Sequence, residues 1–151
     1  MKLVKVTSEQ LNELMGWFNT EAELRIWSGP FFSYPFDTQS FKNDLKLDKL
    51  NSYALVNDEG QMLGFGQFYL REGRCHLGRL VIAPSERGKG LAKVLINLLG
   101  EQGKQQLNCD SLSLFVYSHN TLAKTAYEKL GFIQTQYPAD MPLDGCIYMT
   151  C

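Results

Sequence analysis

The hydrophobic and polar positions of the first fifty residues change between strand spacing and helix spacing. Residues 3–6 form a short apolar run that predicts a strand. Thr7 and Gln10 have the spacing of a capping box. The apolar positions that follow recur at helical intervals, and they are Leu11, Leu14, Met15 and Phe18. This pattern breaks over residues 21–37, and a second short helix is predicted over residues 38–47.

The middle of the chain has the pattern of an antiparallel meander. Three runs rich in apolar residues, 52–56, 62–70 and 75–83, predict three strands. The runs are separated by glycine-containing turn sequences at 57–60 and 71–74, and the third run ends at Pro84.

The last third returns to alternating helices and strands. A helical stripe is formed by Leu91, Val94, Leu95, Leu98 and Leu99. Residues 111–116 predict a strand, and a second helical stripe contains Leu122, Ala123, Ala126, Tyr127 and Leu130. Gly131 suits the end of that helix, and residues 132–137 and 146–150 predict the closing strands. The order βα(α)βββαβαβ indicates an α/β (α+β) fold in a single domain over residues 1–151.

Composition narrows the classes of function. With 151 residues, 44% of them hydrophobic, the chain can bury one core. The net charge of −1 and the lack of a basic cluster argue against nucleic acid as a partner. No apolar run approaches the roughly 20 residues of a membrane span, and no signal peptide is evident, so we expect a cytoplasmic protein. Four dispersed cysteines and two histidines favour reduced thiols and no metal site.

Residues 80–92 form the segment with the clearest chemistry. A predicted strand runs into a turn and then into a helix, and the turn contains Arg87, Gly88, Lys89 and Gly90. Free backbone N–H groups at a helix start bind anions, and glycines let a ligand approach the backbone closely. Leu91 stands where a nucleotide-binding P-loop needs a hydroxyl. From these residues alone, an anion site and a plain connection both stay open.

Two motifs make the chain resemble a known family. Arg87-x-x-Gly90-x-Ala92 is similar to the [Q/R]xxGx[G/A] signature of the GNAT superfamily of N-acetyltransferases. Downstream, Asn120, Ala123, Tyr127 and Gly131-Phe132 resemble a second GNAT segment. The resemblance covers most of the chain and implies a mixed, mostly antiparallel sheet of six or seven strands with about four helices. It also implies an acetyl-CoA-dependent transferase acting on a primary amine of a small molecule or peptide, and allows a homodimer.

The resemblance assigns roles to individual residues. In the family, the strand before the glycine turn carries a bulge, splays from its neighbour and pairs with the pantetheine arm of the cofactor. The implied cofactor-binding residues are Leu80, Val81, Ile82, Arg87, Gly88, Lys89, Gly90, Leu91, Ala92 and Asn120. Tyr127 is the implied general acid, which protonates the departing thiolate. As ordinary structure, Asn120 is a helix N-cap and Tyr127 is a core residue.

The general base does not carry over from the family. Phe115 occupies a position where relatives have glutamate, and residues 76–80 contain no carboxylate. A lysine-like amine with a pKa near 10.4 is only about 0.04% neutral at pH 7, whereas an α-amine with a pKa near 7.8 needs only about 1 kcal/mol to become neutral. We therefore expect a low-pKa acceptor or a base outside the motifs, for which His76 and Glu23 are candidates. Without a base, a non-catalytic acyl-CoA-binding module is the alternative.

The acceptor pocket is expected from residues 21–37 and 137–145. The first segment is aromatic and contains Trp27, Phe31, Phe32, Tyr34 and Phe36. Such a segment predicts either apolar pocket walls or a small hydrophobic cluster under a loop. Asp37, Asp140 and Asp144 are candidates for attracting a cationic amine, and each also suits an ordinary turn.

Overall fold

The computed structural model describes residues 1–151, which form one seven-stranded sheet with helices on both faces. The strands are β1 (Lys2–Lys5), β2 (Asn51–Val56), β3 (Met62–Arg71), β4 (Arg74–Ile82), β5 (Leu112–Tyr117), β6 (Ile133–Gln134) and β7 (Cys146–Thr150). The helices are α1 (Ser8–Met15), α2 (Glu21–Ser28), α3 (Thr38–Leu45), α4 (Leu91–Leu107) and α5 (Thr121–Lys129). A single 3₁₀ turn, Pro84–Glu86, precedes α4.

The sheet has the order β1-β2-β3-β4-β5-β7-β6. Every neighbouring pair is antiparallel except β4 and β5, which are parallel because α4 carries the chain back across the sheet. The prediction of a mixed, mostly antiparallel sheet of six or seven strands is therefore confirmed. The strand predicted over residues 132–137 is shorter in the structure, because only Ile133 and Gln134 pair with β7 and Phe132 is buried in the core.

There are five α-helices, because residues 21–37 contain one where the hydrophobic pattern predicted an irregular segment. Helix α2 is only eight residues long. The Thr20 side chain accepts a hydrogen bond from the Glu23 amide at its start, and Gly29 ends it with a φ of 75°. The capping box predicted for Thr7 and Gln10 is present at the start of α1.

Alternate residues of the central strands point into two cores. On β2, Ala54 and Val56 pack with α1, α2 and α3, whereas Tyr53 and Leu55 point to the opposite face. Helix α4 covers that opposite face and contributes Leu95 and other buried residues. None of the helices is long and apolar enough to cross a membrane.

Candidate functional site

A cleft opens in the sheet where β4 and β5 separate. The two strands pair only at Cys75 with Leu112, His76 with Ser113 and Leu77 with Leu114. Beyond these pairs each strand continues without the other as a partner, and a cleft of about 810 Å³ lies there. Both strands, α2 and α5 all contribute to its walls. Backbone groups of β4 beyond Leu77 are therefore available to a ligand that extends along the strand.

A β-bulge on β4 marks the point of separation. Phe65 pairs with Val81, but Gln67 pairs with Gly78, so β4 holds one extra residue opposite Gly66. Arg79 lies in the bulge with a φ of 49°, a left-handed conformation that a residue with a side chain rarely adopts. The Trp27 indole donates a hydrogen bond of 2.8 Å to the Arg79 carbonyl oxygen, so α2 supports the bulge.

The turn after β4 leads to an uncapped helix start. Gly88 and Gly90 have φ values of 79° and 77°, and a Cβ atom built on either one would meet no atom within 4 Å. Gly90 precedes α4, whose first turn receives no hydrogen bond from a capping side chain. The first amides of α4 thus have no side-chain cap, and no atom crowds the backbone on the Cβ side of Gly88 and Gly90, an arrangement that favours an anion.

The charged side chains of this turn are partly engaged. Arg87 donates from Nε to the Ile82 carbonyl oxygen at 3.2 Å, and this arginine lines the cleft. Lys89 pairs with Glu86 at 2.7 Å on the surface. Leu91 is buried in the core, so only its backbone amide can serve a ligand.

Helix α5 brings two of the sequence-predicted residues to the cleft. Asn120 is the N-cap of α5, and its Oδ1 accepts a hydrogen bond from the Ala123 amide at 3.4 Å. Tyr127 lies further along α5, also lines the cleft, and packs against Phe132. Burial raises the pKa of Tyr127 to about 12, which keeps the phenol protonated at neutral pH. Both residues thus combine their structural role with a position in the cleft wall.

His76 lines the cleft but is poorly suited to act as a base. Its side chain is 2% exposed, and Nδ1 lies 2.8 Å from the Ser113 hydroxyl. Burial, helped by the nearby positive charge of Arg71, lowers the His76 pKa to about 3. The imidazole is therefore neutral at pH 7 and has little affinity for a proton.

Glu23 provides the single carboxylate in the lining of the cleft. Its Oε2 accepts a hydrogen bond from the Asn19 amide at 2.8 Å. Asp37, Asp140 and Asp144 are not part of the lining. Asp37 instead caps α3, and hydrogen bonds from Ser40 lower its pKa.

Some residues of the aromatic segment form pocket walls, and others belong to the hydrophobic cluster, so each interpretation of this sequence holds for part of the segment. Trp27 and Phe31 line the cleft, whereas Phe32 is 2% exposed and belongs to the core beneath α1, α2 and α3. Tyr34 and Phe36 contact each other and lie outside the lining. From the second expected acceptor segment, Pro142 and Leu143 reach the cleft.

Three further polar residues line the cleft, and the sequence motifs gave no indication of them. Tyr69 and Arg71 enter from β3, and Arg79 enters from the bulge of β4. Tyr69 pairs with His76 across the sheet, and the neighbouring Phe115 on β5 contacts the same histidine. Strand register brings these residues together, and no spacing along the chain indicates it.

Comparisons with known proteins agree with this architecture. Residues 13–132 match the model of the acetyltransferase (GNAT) family. The chain is 29% identical over 94 residues to an uncharacterized N-acetyltransferase, YdgE, of Bacillus subtilis, covering 58% of this chain and 59% of that protein. It is 30% identical over 101 residues to a mycothiol acetyltransferase of Salinispora tropica, covering 64% of this chain and 33% of the relative. The chain thus matches less than two thirds of the length of these relatives.

The fold is also found in solved structures. The spermidine N-acetyltransferase of Vibrio cholerae in complex with CoA and spermine superimposes with a TM-score of 0.74, covering 99% of this chain and 94% of that one. Sequence identity in this comparison is 17%, so the likeness concerns the fold.

Proposed function

Since the chain belongs to the GNAT acetyltransferase family, we propose that it transfers the acetyl group of acetyl-CoA to a primary amine of a small molecule or peptide. The observation that carries this proposal is the separation of β4 from β5 after Leu77 and Leu114. The lining of the cleft opened there includes Arg87, in the turn that precedes the uncapped start of α4, and a protonated tyrosine, whereas residues 88–92 lie outside the lining.

The extended part of acetyl-CoA is assigned to β4 and the turn that follows. Backbone groups of Leu80, Val81 and Ile82 take the pantetheine arm as an added strand would be taken. The diphosphate is assigned to the amides from Arg87 through Gly88, Lys89, Gly90 and Leu91 to Ala92, at the start of α4. Asn120 is placed near the sulfur. The Ile82 carbonyl oxygen already accepts a hydrogen bond from Arg87, so the pantetheine contacts depend chiefly on the other two residues.

Tyr127 is assigned the role of general acid. The amine nitrogen attacks the thioester carbonyl carbon, the new C–N bond forms, and the C–S bond breaks to release the thiolate. The Tyr127 phenol gives its proton to the sulfur, and the proton that the nitrogen loses restores the phenol through solvent. A phenol whose pKa is raised by burial is fully protonated before this step, as a general acid must be.

The acceptor amine must enter in its neutral form. With the His76 pKa near 3, the lining holds no histidine that takes a proton near pH 7. Glu23 remains the one candidate base in the lining. Either a water relay to Glu23 or an acceptor of low pKa therefore supplies the free amine, and the cost of the latter is about 1 kcal/mol for an α-amine at pH 7.

Release of free thiol from acetyl-CoA, measured with a panel of amines, tests the proposal. We expect Tyr127→Phe to lower kcat by about 100-fold or more while the KM for acetyl-CoA changes little, because the phenol acts after binding. Tyr34→Phe is the matched control, since Tyr34 lies outside the cleft lining. Calorimetry with acetyl-CoA reports binding separately.

The outcomes separate this proposal from its alternative. Failure of acetyl-CoA to bind would overturn both the transferase and the acyl-CoA-binding module. Tight binding with no turnover of any amine would favour the non-catalytic module. A homodimer and a cytoplasmic location stay predictions, and light scattering of the purified protein checks the first.

A further inference from the structure

Two arginines in the lining of the cleft have no carboxylate partner. Arg71 and Arg79 both line the cleft, and neither takes part in any of the four ion pairs of the protein. Arginines in protein interiors are usually paired with an acid, because a partly buried guanidinium is costly to leave without one. This pair of free cations therefore needs an explanation.

Arg71 is held in place by neutral groups. Its Nη1 donates to the Tyr137 hydroxyl at 3.0 Å, and its Nη2 donates to the Tyr69 hydroxyl at 3.2 Å. The guanidinium carbon lies 5.1 Å from the centre of the Phe115 ring. These contacts fix the orientation of the guanidinium and leave its charge uncompensated.

Arg79 is fixed in the same manner on the bulge of β4. Its Nη1 donates to Gln67 Oε1 at 2.9 Å, and its guanidinium carbon lies 5.2 Å from the centre of the Phe32 ring. Asp44 is close enough to influence the Arg79 pKa but forms no ion pair with it, and its Oδ2 accepts a hydrogen bond from the Ser33 amide instead. Tyr69 also influences this pKa, so it lies near both arginines.

Two of the unsatisfied polar atoms of the protein belong to these arginines. Three buried side-chain polar atoms have no hydrogen-bond partner within the chain, namely Arg71 Nε, Arg79 Nε and the Tyr148 hydroxyl oxygen. Tyr148 pairs with Phe115 across β5 and β7, and its ring contacts Tyr137. Each arginine therefore keeps one N–H group without a partner in the chain, which agrees with its lack of a carboxylate partner.

The charges of the cleft favour an anion over a cation. Apart from Arg87, which is assigned to the diphosphate, the lining contains three cationic side chains, Lys46, Arg71 and Arg79, and one carboxylate, Glu23. A polyamine would bring several positive charges next to this excess of positive charge and would be repelled. A molecule with one amine and one carboxylate would instead meet a complementary surface.

We propose that the acetyl acceptor is a small amine that also bears a carboxylate, an amino acid or a close analogue, and that Arg71 and Arg79 bind that carboxylate. The proposal rests on the transferase function proposed above and narrows its substrate class. A guanidinium binds a carboxylate through paired N–H donors in one plane, so two fixed arginines would set the distance from the carboxylate to the amine.

Matched pairs of acceptors test this substrate class. Alanine is compared with ethylamine, lysine with cadaverine, and phenylalanine with phenethylamine, so each pair differs only by the carboxylate; spermidine is added as a polyamine. We expect kcat/KM in thiol release, calculated for the concentration of neutral amine at the assay pH, to be about tenfold or more higher for at least one amino acid than for its decarboxylated amine. A higher kcat/KM for spermidine, or for the decarboxylated member of every pair, would overturn the proposal and leave the transferase function standing.

Substitutions test the two arginines. Arg71→Gln and Arg79→Gln should each reduce the preference for the carboxylate-bearing member about tenfold or more, while the KM for acetyl-CoA stays constant. This preference is a ratio measured on one preparation, so partial misfolding of a variant cannot mimic its loss. Arg74→Gln is the matched control, because Arg74 lies on the same hairpin outside the cleft lining and should keep the wild-type preference.

An equilibrium measurement covers the case in which acetyl-CoA binds but no acceptor is turned over. Calorimetric titration of the three amino acids into the CoA-saturated protein would then decide. Binding that weakens about tenfold in Arg71→Gln but not in Arg74→Gln supports the carboxylate site even if the transferase proposal fails. No binding of any of the three amino acids overturns it.

Discussion

The two faces of the sheet differ in the polarity of their central side chains. Beneath α4 and α5, the inward residues of β4 and β5 are apolar or thiol side chains, namely Cys75, Leu77, Leu112 and Leu114. On the opposite face, neighbouring strands align a row of polar residues, His76, Ser113 and Thr150. These three are at most 6% exposed, as is Gln67 on β3.

This difference separates two tasks that one cleft must perform. The apolar face packs against α4 and α5, and these helices supply the uncapped helix start, Asn120 and Tyr127. The polar face presents Arg71 and Arg79 to the space where an acceptor would lie. Helix-borne groups that serve a fixed ligand can be recognised from spacing along one element. The residues that would contact the acceptor come from several strands, and only the register between those strands brings them together.

The largest expected effect tests whether both faces are true cores. Phe41 on α3 and Leu99 on α4 are both fully buried, one in each core. We expect Phe41→Ala to lower the free energy of unfolding by about 3–5 kcal/mol and Leu99→Ala by about 2–5 kcal/mol, since each leaves a cavity. Urea denaturation measures both. A loss below about 1 kcal/mol for Phe41→Ala would mean that α1, α2 and α3 form only a loosely attached cluster.

The second prediction concerns the pH dependence that the polar face imposes. Burial and the charge of Arg71 hold the His76 pKa near 3, below its ordinary value of 6.5. Between those values the folded state binds fewer protons than the unfolded state, so stability rises with pH. The contribution of His76 to the free energy of unfolding is fully present above about pH 6.5 and is lost as the pH falls toward 3. We expect the wild type to lose about 2 kcal/mol between pH 7 and pH 5 from this residue.

Urea denaturation at both pH values of the wild type and His76→Gln checks this expectation. The variant should show a smaller pH dependence by the amount that His76 contributes. His119 is exposed and is the second histidine of the chain, so His119→Gln is the control and should retain the wild-type dependence. Equal dependence in the wild type and His76→Gln would show that this part of the polar face is wetter than the structure indicates.

The smallest expected effect separates backbone strain from ligand contact at the turn before α4. Gly90 and Gly60 have φ values of 77° and 81°, and both face open space. Alanine at either position should therefore cost a similar amount, roughly 1–2 kcal/mol of stability. Only Gly90→Ala should raise the KM for acetyl-CoA, by about fivefold, or about 1 kcal/mol. An equal KM for both variants would remove this turn from the cofactor site.

Local signals predicted most of the fold correctly. The capping box of Thr7 and Gln10, the hairpin turns and the bounds of β7 all depend on residues near one another in the chain. Helix α2 was not predicted, although Thr20 and Glu23 at its start are ordinary helix signals. Its eight residues span two turns and are followed by glycine and proline, so the aromatic segment around them masked the helical spacing.

The site was only partly readable for a different reason. The glycine turn and Tyr127 belong to motifs that lie within single stretches of chain. The family resemblance implied a bulge on the strand before the glycine turn, and β4 carries one, but its position depends on Arg79 adopting a left-handed backbone, which the residue type does not suggest. Arg71 reaches the cleft because the β3–β4 hairpin sets its register, and one of the two tyrosines that orient it, Tyr137, lies 66 residues away. Long-range pairings of this kind leave no periodic trace in the sequence.

The seam between β4 and β5 has a mechanical consequence. Strands β1 to β4 form one antiparallel unit and β5 to β7 another, and within the sheet only three residue pairs join the two units. The two units are therefore joined in the sheet at one end of the cleft, and elsewhere by the core that they share beneath α4 and α5. A ligand bound along β4 would fill the cleft and would contact both groups of strands. Ligand binding should then reduce the motion of strands β5 to β7 relative to strands β1 to β4. The reduction should include residues of β7 that the ligand does not contact.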